Sequence, residues 1–267
     1  MFQDKVIIIT GSSQGIGLKT AEMLVEKGAK VVINSRSPQK VEKAVAKLKA
    51  KSLEVMGLAG DVSDFHFCEE LKKQTLHRFG QIDMLINNAG VASGGRFSEL
   101  SAVAFQTVVQ INLLGSIYPT LACLDEIKKQ KGSILFISSV AGILGLPNYS
   151  SYSATKRALV SVAESLKIEL MEDGVFVGVN YPGFTENDAD KKMVNAQGEE
   201  EILKKREGVK VSSLEQTVKA IIQQLEQKKF RMYSTTSARL IQGMYRFFPR
   251  LTYWAMFQLK DRFDRMQ

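Results

Sequence analysis

Two cysteines in 267 residues, Cys68 and Cys123, are too few for a disulfide framework or a zinc site. Both lie in helix-like stretches, where reduced and partly buried thiols are expected. Five prolines and a charged content of 24% exclude a collagen-like or disordered chain. No uninterrupted apolar run approaches the roughly 18 residues that a membrane-crossing helix needs. The first apolar run, residues 6–9, is too short for the core of a signal peptide and leads into a glycine-rich turn. An intracellular, cytoplasmic protein without a metal site is the expectation.

What is present is a globular composition: 45% hydrophobic residues in a chain long enough for one large domain or two small ones. The net charge of +8 is unevenly spread. Residues 1–227 carry 27 basic and 26 acidic side chains, whereas residues 228–267 carry 9 basic and 2 acidic ones, with nine of the 22 aromatics. Such a segment, which includes the only tryptophan, Trp254, suits a phosphate-bearing surface.

Short aliphatic runs at residues 5–10, 30–34, 54–60, 83–87, 132–138 and 175–181 alternate with longer amphipathic stretches, the pattern of βα units around a parallel sheet. The runs lack in/out alternation because helices would cover both faces of the sheet. Between them, Val41, Ala44, Val45 and Leu48 recur at helical spacing. The expected fold is α/β, a single-domain doubly wound parallel sheet over residues 1–227. Residues 228–267 form a C-terminal amphipathic helical extension in this reading.

The first strand runs into Thr10-Gly11-Ser12-Ser13-Gln14-Gly15-Ile16-Gly17 and then a helix, the context of a dinucleotide-binding turn. Gly11 allows the tight turn, Gly15 the approach of a pyrophosphate, and Gly17 close helix–strand packing, while the helix N-terminus supplies N–H groups for the anion. An acidic residue near the end of the second strand would bind adenosine ribose hydroxyls in the NAD version of this arrangement. Here that strand ends Asn34-Ser35-Arg36-Ser37, with no carboxylate between Glu26 and Glu42. Arg36 offers a multi-donor cation to a 2′-phosphate, with Ser35 and Ser37 as neutral donors, so NADPH is expected over NADH.

Tyr152 and Lys156 stand one helical turn apart on one face. At roughly 4 Å and an effective dielectric of about 20, an ammonium favours a phenolate by at most about 4 kcal/mol, or about three pKa units. That brings a phenol toward neutrality, where it can protonate a nascent alkoxide.

With Asp61-Val62, Asn87-Asn88-Ala89-Gly90, Asn112, Ser139 and Pro182-Gly183 in the same order, residues 3–190 resemble the classical short-chain dehydrogenase/reductase family. The resemblance implies a Rossmann fold and hydride transfer between a nicotinamide and a carbonyl or alcohol. It further implies that Asp61 and Val62 contact the adenine and that Asn88 and Gly90 line the cofactor. Asn112 would hold a water in a proton relay, Ser139 would bond the substrate oxygen, Tyr152 would be the general acid, and Lys156 would bind the nicotinamide ribose. Two departures stand out. After Pro182-Gly183 the run is Phe184-Thr185-Glu186-Asn187, so either Thr185 or Asn187 could meet the carboxamide. The family's usual ending, a short strand and closing turn that supports tetramers, is absent in this reading and replaced by the basic aromatic tail of residues 228–267, so a standard tetramer is not assumed; a homo-dimer or other homo-oligomer is expected. Residues 191–211 would form the substrate lid.

In the tail, Leu240, Met244 and Phe248 with Ile241 and Tyr245 make a helical stripe ending at Pro249. Met256, Leu259, Phe263 and Met266 make a second, opposite Lys260, Asp261, Arg262 and Arg265. These helices would pack on the protein itself, on a partner subunit, or peripherally on an anionic membrane; nothing in the chain resembles a nucleic-acid module. The stretch Ile111-Asn112-Leu-Leu-Gly115-Ser-Ile-Tyr118-Pro119, Tyr181-Pro182 and the aromatic, basic terminus resemble the 3-ketodihydrosphingosine reductases. The substrate expected from that likeness is a hydrophobic, lipid-like ketone. Alternatives are a soluble steroid, acyl or other small ketone, and a non-catalytic NADPH-sensing protein, which the intact Ser139, Tyr152 and Lys156 oppose.

Overall fold

The structure, a computed structural model, describes residues 1–50, 54–186, 188, 191–203, 211–260 and 263. Its first strand, β1 (Val6–Ile9), is buried on both faces. Ile7 and Ile9 join one apolar cluster and Ile8 the other, so three successive residues tie the two layers of helices to a shared sheet. The chain continues through α1 (Gly15–Glu26), β2 (Lys30–Ser35), α2 (Pro38–Lys49), β3 (Val55–Ala59), α3 (Phe65–Phe79), β4 (Met84–Asn87) and β5 (Ala92–Ser93). There follow α4 (Ala102–Val109), a π-helical turn (Gln110–Leu114), α5 (Gly115–Lys129), β6 (Ser133–Ile137), a 3-10 turn (Val140–Gly142), α6 (Ser150–Glu169) and β7 (Phe176–Tyr181). The last elements are β8 (Lys192–Val194), β9 (Glu200–Ile202), α7 (Leu214–Gln227), β10 (Arg231–Tyr233), α8 (Thr236–Phe247) and α9 (Pro249–Gln258).

The six expected strands all form, and with a seventh, β10, they pair in parallel in the order β10-β7-β6-β4-β1-β2-β3. The chain leaves β1 toward β2 and β3 and then crosses back to β4. This reversal opens a crevice between β1 and β4 at the carboxyl end of the sheet. Local chemistry marks several helix ends. Ser37 caps α2 by accepting from the Lys40 N–H ahead of Pro38, Asp64 caps α3, and Gly80 ends α3 in the left-handed region at φ 79°. Cys68 and Cys123 are free and buried, and burial pushes both thiols up to about 12, which keeps them protonated.

Two expectations need correction. The boundary at residue 227 is misplaced, because the next segment supplies β10, whose Arg231, Met232 and Tyr233 pair with Val179, Asn180 and Tyr181. The closing strand that the sequence concealed is therefore present; a three-residue edge strand is too short to show a periodicity. The second tail helix begins at Pro249 rather than near Met256, since proline at the first helical position starts a helix as readily as it ends one. Separately, α4, the π turn and α5 form one continuous helix, Ala102–Lys129, that is long and apolar enough on composition to cross a membrane. Its Ala104, Val108, Asn112, Cys123 and Ile127 are buried, and it packs on α3, α6 and β4 as a core helix of the domain. Of the named tail residues, Asp261, Arg262, Arg265 and Met266 lie outside the described residues, as do Asn187 and residues 204–210 of the expected lid.

The edge strand is held by one buried side chain. Gln224 of α7 donates to the carbonyls of Val179 (3.0 Å), Lys229 (2.9 Å) and Phe230 (3.3 Å) and accepts from Asn180 Nδ2 (2.8 Å). Gln224→Met keeps the volume but strands several buried polar groups, so a loss of about 2–4 kcal/mol is expected in urea unfolding.

Candidate active site

At the crevice, the glycine loop is built from backbone geometry that only glycine tolerates. Gly11 sits at φ +60°, and a Cβ there would lie 2.7 Å from the Ala89 Cα. A Cβ on Gly17 would lie 2.6 Å from the Gly11 carbonyl oxygen, so helix and loop touch. Gly15, at φ +56°, has only Asp188 Oδ2 within 4 Å of its added Cβ, at 3.6 Å. The N-cap Gln14 makes no side-chain cap bond; its Oε1 accepts from Lys40 Nζ at 2.8 Å instead. The first turn of α1 therefore meets an anion with its own N–H groups and its dipole, and a pyrophosphate fits this cradle. Ser13 lies half-buried in the same turn and Ile16 packs on the core.

Asn34, placed at the strand end by the sequence, is a fastener that the sequence reading passed over. It is 1% exposed. Its Nδ2 donates to the carbonyls of Leu58 and Gly60 at 3.2 Å, and its backbone exchanges bonds with Ser12, whose Oγ accepts from the Asn34 N–H at 3.0 Å. The legible signal was a fully polar residue inside an aliphatic strand. From the opposite side, Asn88 Nδ2 donates to the carbonyls of Thr10 (3.0 Å) and Gly11 (2.8 Å), and Thr10 Oγ1 accepts from the Asn88 and Ala89 N–H groups. Asn88 thus braces the loop.

At the end of β2, Ser35 bonds weakly to the Ser37 carbonyl, and Arg36 Nη2 donates to Glu200 Oε1 at 2.9 Å. Glu200 belongs to a small second sheet, β5-β8-β9, and also accepts from Lys192. The Lys192 hydrogen bond, supported by Arg36, holds the Glu200 carboxyl below the usual carboxylate range. Asp61 Oδ1 accepts from the Ser63 N–H and hydroxyl, and Val62 is buried against Cys68, Ala89 and Ala122.

The second group of residues converges on Gly90. A Cβ there would lie 3.1 Å from Asn112 Oδ1 and 3.2 Å from Lys156 Nζ, so both side chains close on the bare Cα of Gly90. Asn112 is fully buried in the π turn, where an inserted residue widens the helix. Its Oδ1 accepts from the Val91 N–H at 2.7 Å, and its Nδ2 donates to the Val91 carbonyl (3.0 Å) and Thr155 Oγ1 (3.4 Å). Lys156 is buried and donates to the Ile137 carbonyl at 2.9 Å, while its own carbonyl accepts from Ser138 Oγ. Its Nζ lies 5.8 Å from the centroid of the Tyr152 ring. Burial pushes the Lys156 ammonium down to about 8, with the nearby Lys191 adding to the effect. Ser139 opens the 3-10 turn by accepting from the Ala141 N–H at 3.2 Å, and Val140 N–H donates to the Pro182 carbonyl. Gly142 fits this turn against the Lys156 carbonyl, to which an added Cβ would be 2.8 Å. Pro182 and Gly183 close the cleft beside Thr235, the N-cap of α8. Thr185 is placed differently from expectation: its hydroxyl turns into the fold, bonding the Gly183 carbonyl and Thr217, because the chain bridges there to Ser212.

The model of the short chain dehydrogenase family matches residues 5–198. The chain belongs to that family. This short-chain dehydrogenase/reductase is 36% identical over 206 residues to an uncharacterized oxidoreductase of Thermotoga maritima, covering 76% of this chain and 81% of that one. It is 36% identical over 186 residues to the 3-ketodihydrosphingosine reductase of Bos taurus, covering 67% of this chain and 56% of the bovine protein. Among solved structures, a short-chain dehydrogenase/reductase from Burkholderia phymatum in complex with NAD superposes with a TM-score of 0.79 at 25% identity, covering 92% and 95% of the two chains. The protein is an oxidoreductase of the class that works with a nicotinamide dinucleotide.

The buried ammonium has a measurable cost. A group whose folded pKa lies below its unfolded value destabilises the fold at every pH below the folded pKa, and the penalty fades as pH rises toward 10.5. From about 8 to 10.5 that is on the order of 3 kcal/mol, reduced by about 1 kcal/mol for the lost bond to Ile137. Lys156→Met should therefore stabilise the protein by about 2 kcal/mol at pH 7 and by progressively less above pH 8, read from urea unfolding at several pH values.

Proposed function

We propose that the protein is an NADPH-dependent reductase that converts a hydrophobic, lipid-like ketone to a secondary alcohol, with 3-ketodihydrosphingosine as the representative substrate. The observation that carries the reaction is the buried Lys156 one helical turn from Tyr152, set against Asn112 by the bare Cα of Gly90. When bound, the dinucleotide supplies the hydride. Gly11, Ser13, Gly15 and Ile16 hold its pyrophosphate side, Asp61 and Val62 its adenine, and Asn88, Gly90, Pro182 and Gly183 line the remaining cleft. Arg36 and Ser35 meet the 2′-phosphate, the chemistry that an arginine fork fits and a ribose hydroxyl does not require.

The hydroxyls of Ser139 and Tyr152 donate to the ketone oxygen and orient it. As negative charge develops there, Tyr152 transfers its proton, and the Lys156 cation stabilises the phenolate that remains. Both side-chain polar atoms of Asn112 are engaged by Val91 and Thr155, so its side chain positions the π turn. Its carbonyl oxygen, which accepts from Ser116 Oγ at 3.1 Å, is the atom to which we assign the water that returns the proton through Lys156. The lipid-like substrate is supported by the likeness to the bovine 3-ketodihydrosphingosine reductase over 186 residues.

NADPH consumption with a panel of long-chain 3-ketones, a steroid ketone and a short 3-oxoacyl thioester should give the highest kcat/KM for the long-chain members. A tenfold advantage for either of the others overturns the substrate assignment. Tyr152→Phe should lower kcat by about 10²–10⁴ while leaving coenzyme affinity nearly unchanged. Arg36→Ala should weaken NADPH binding by about 10–100-fold and NADH binding by less than about threefold, measured by titration calorimetry.

A further inference from the structure

We infer that α8 and α9 form a docking face for an anionic lipid bilayer, independent of the reaction proposed above. The inner side of α8 is already used: Ala238 is fully buried, and Ile241 and Tyr245 pack on the second apolar cluster. Helix α9 is tied to it by the edge-to-face contact of Tyr245 and Tyr253 and by the bond from Thr252 Oγ1 to the Phe248 carbonyl. What remains outward is apolar. Leu240, Met244, Phe247, Leu251, Trp254 and Phe257 are all exposed, Trp254 by 61%. The sequence stripe at 240, 241, 244, 245 and 248 is therefore two faces, one for the core and one with nothing of this chain over it among the described residues.

The charge on this face selects the occupant. From residue 228 to residue 260 there is no acidic side chain. Arg239, Arg246, Arg250 and Lys260 are exposed, and none is paired with a carboxylate among the described residues. Elsewhere, exposed lysines are commonly matched, as in Lys219 with Glu215 and Lys128 with Asp173. Arg246 and Lys260 instead lie 5.7 Å and 4.5 Å from the ring centroids of Phe247 and Phe257. Cations interleaved with exposed aromatic and aliphatic side chains match the boundary between anionic headgroups and acyl chains. A second copy of the chain would bring the same basic face against itself in a two-fold contact, which like charges oppose. The face also begins at the site: Thr235, capping α8, is the neighbour that a Cβ on Gly183 would meet at 3.0 Å.

The only tryptophan of the chain is its own probe. Full-length protein is titrated with phosphatidylglycerol/phosphatidylcholine vesicles and with pure phosphatidylcholine vesicles, at 50 mM and 500 mM salt. Binding is read by Trp254 emission and by flotation, and molar mass by light scattering without vesicles. The expected result is a blue shift and flotation with the anionic vesicles only, weakened at high salt. Joint Arg239→Gln, Arg246→Gln and Arg250→Gln substitution should weaken partition about fivefold for each cation removed. Leu251→Ser with Phe257→Ser should lower it further with an unchanged melting temperature. No binding at 50 mM salt, equal binding to neutral vesicles, or a dimer whose formation already shields Trp254 each overturns the proposal.

Discussion

A lysine ammonium enclosed by protein is the constraint around which this molecule is arranged. Lys156 is buried, so its charged form has to be met by fixed dipoles. The Ile137 carbonyl at the end of β6 provides one, and that carbonyl is in place only because β6 lies between β4 and β7 in register. Gly90 leaves the space, the π turn brings Asn112 beside it, and Ser138 holds the helix backbone at Lys156 itself. A penalty in stability is accepted at the place to which we assign the chemistry, as is common for functional sites.

The coenzyme half of the cleft is governed by a different requirement, close approach of backbones. Gly11, Gly17 and Gly90 each face an atom that a side chain would strike, and Asn34 and Asn88 lock the loop from its two sides. At the far end, Arg36 is shared with Glu200, a carboxylate more than 160 residues later in the chain. The acid missing from the end of β2 is thus supplied in space by β9, where it engages the arginine.

Much of this was readable beforehand, for identifiable reasons. The six long strands announce themselves because a parallel sheet covered on both faces demands unbroken aliphatic runs. Gly11, Gly15, Gly90, Asn112, Ser139, Tyr152 and Lys156 stand at spacings that only a shared topology brings together, and the structure gathers them at one end of the sheet. Strand β10 escaped notice because three residues at the edge of a sheet are too few to show a periodicity. The inward turn of Thr185 escaped because it depends on the Ser212 bridge and on Thr217, both distant in the chain.

The sequence alone therefore determined the parallel layered architecture, the glycine turn, the Tyr152–Lys156 spacing and the concentration of positive charge after residue 227, since each follows from local periodicity, backbone freedom or composition. Tertiary structure decided which of these meet. The burial of Lys156, the contact of Arg36 with Glu200, and the division of one helical stripe into a core face and an exposed face are set by through-space packing, and no local pattern encodes what lies opposite a side chain.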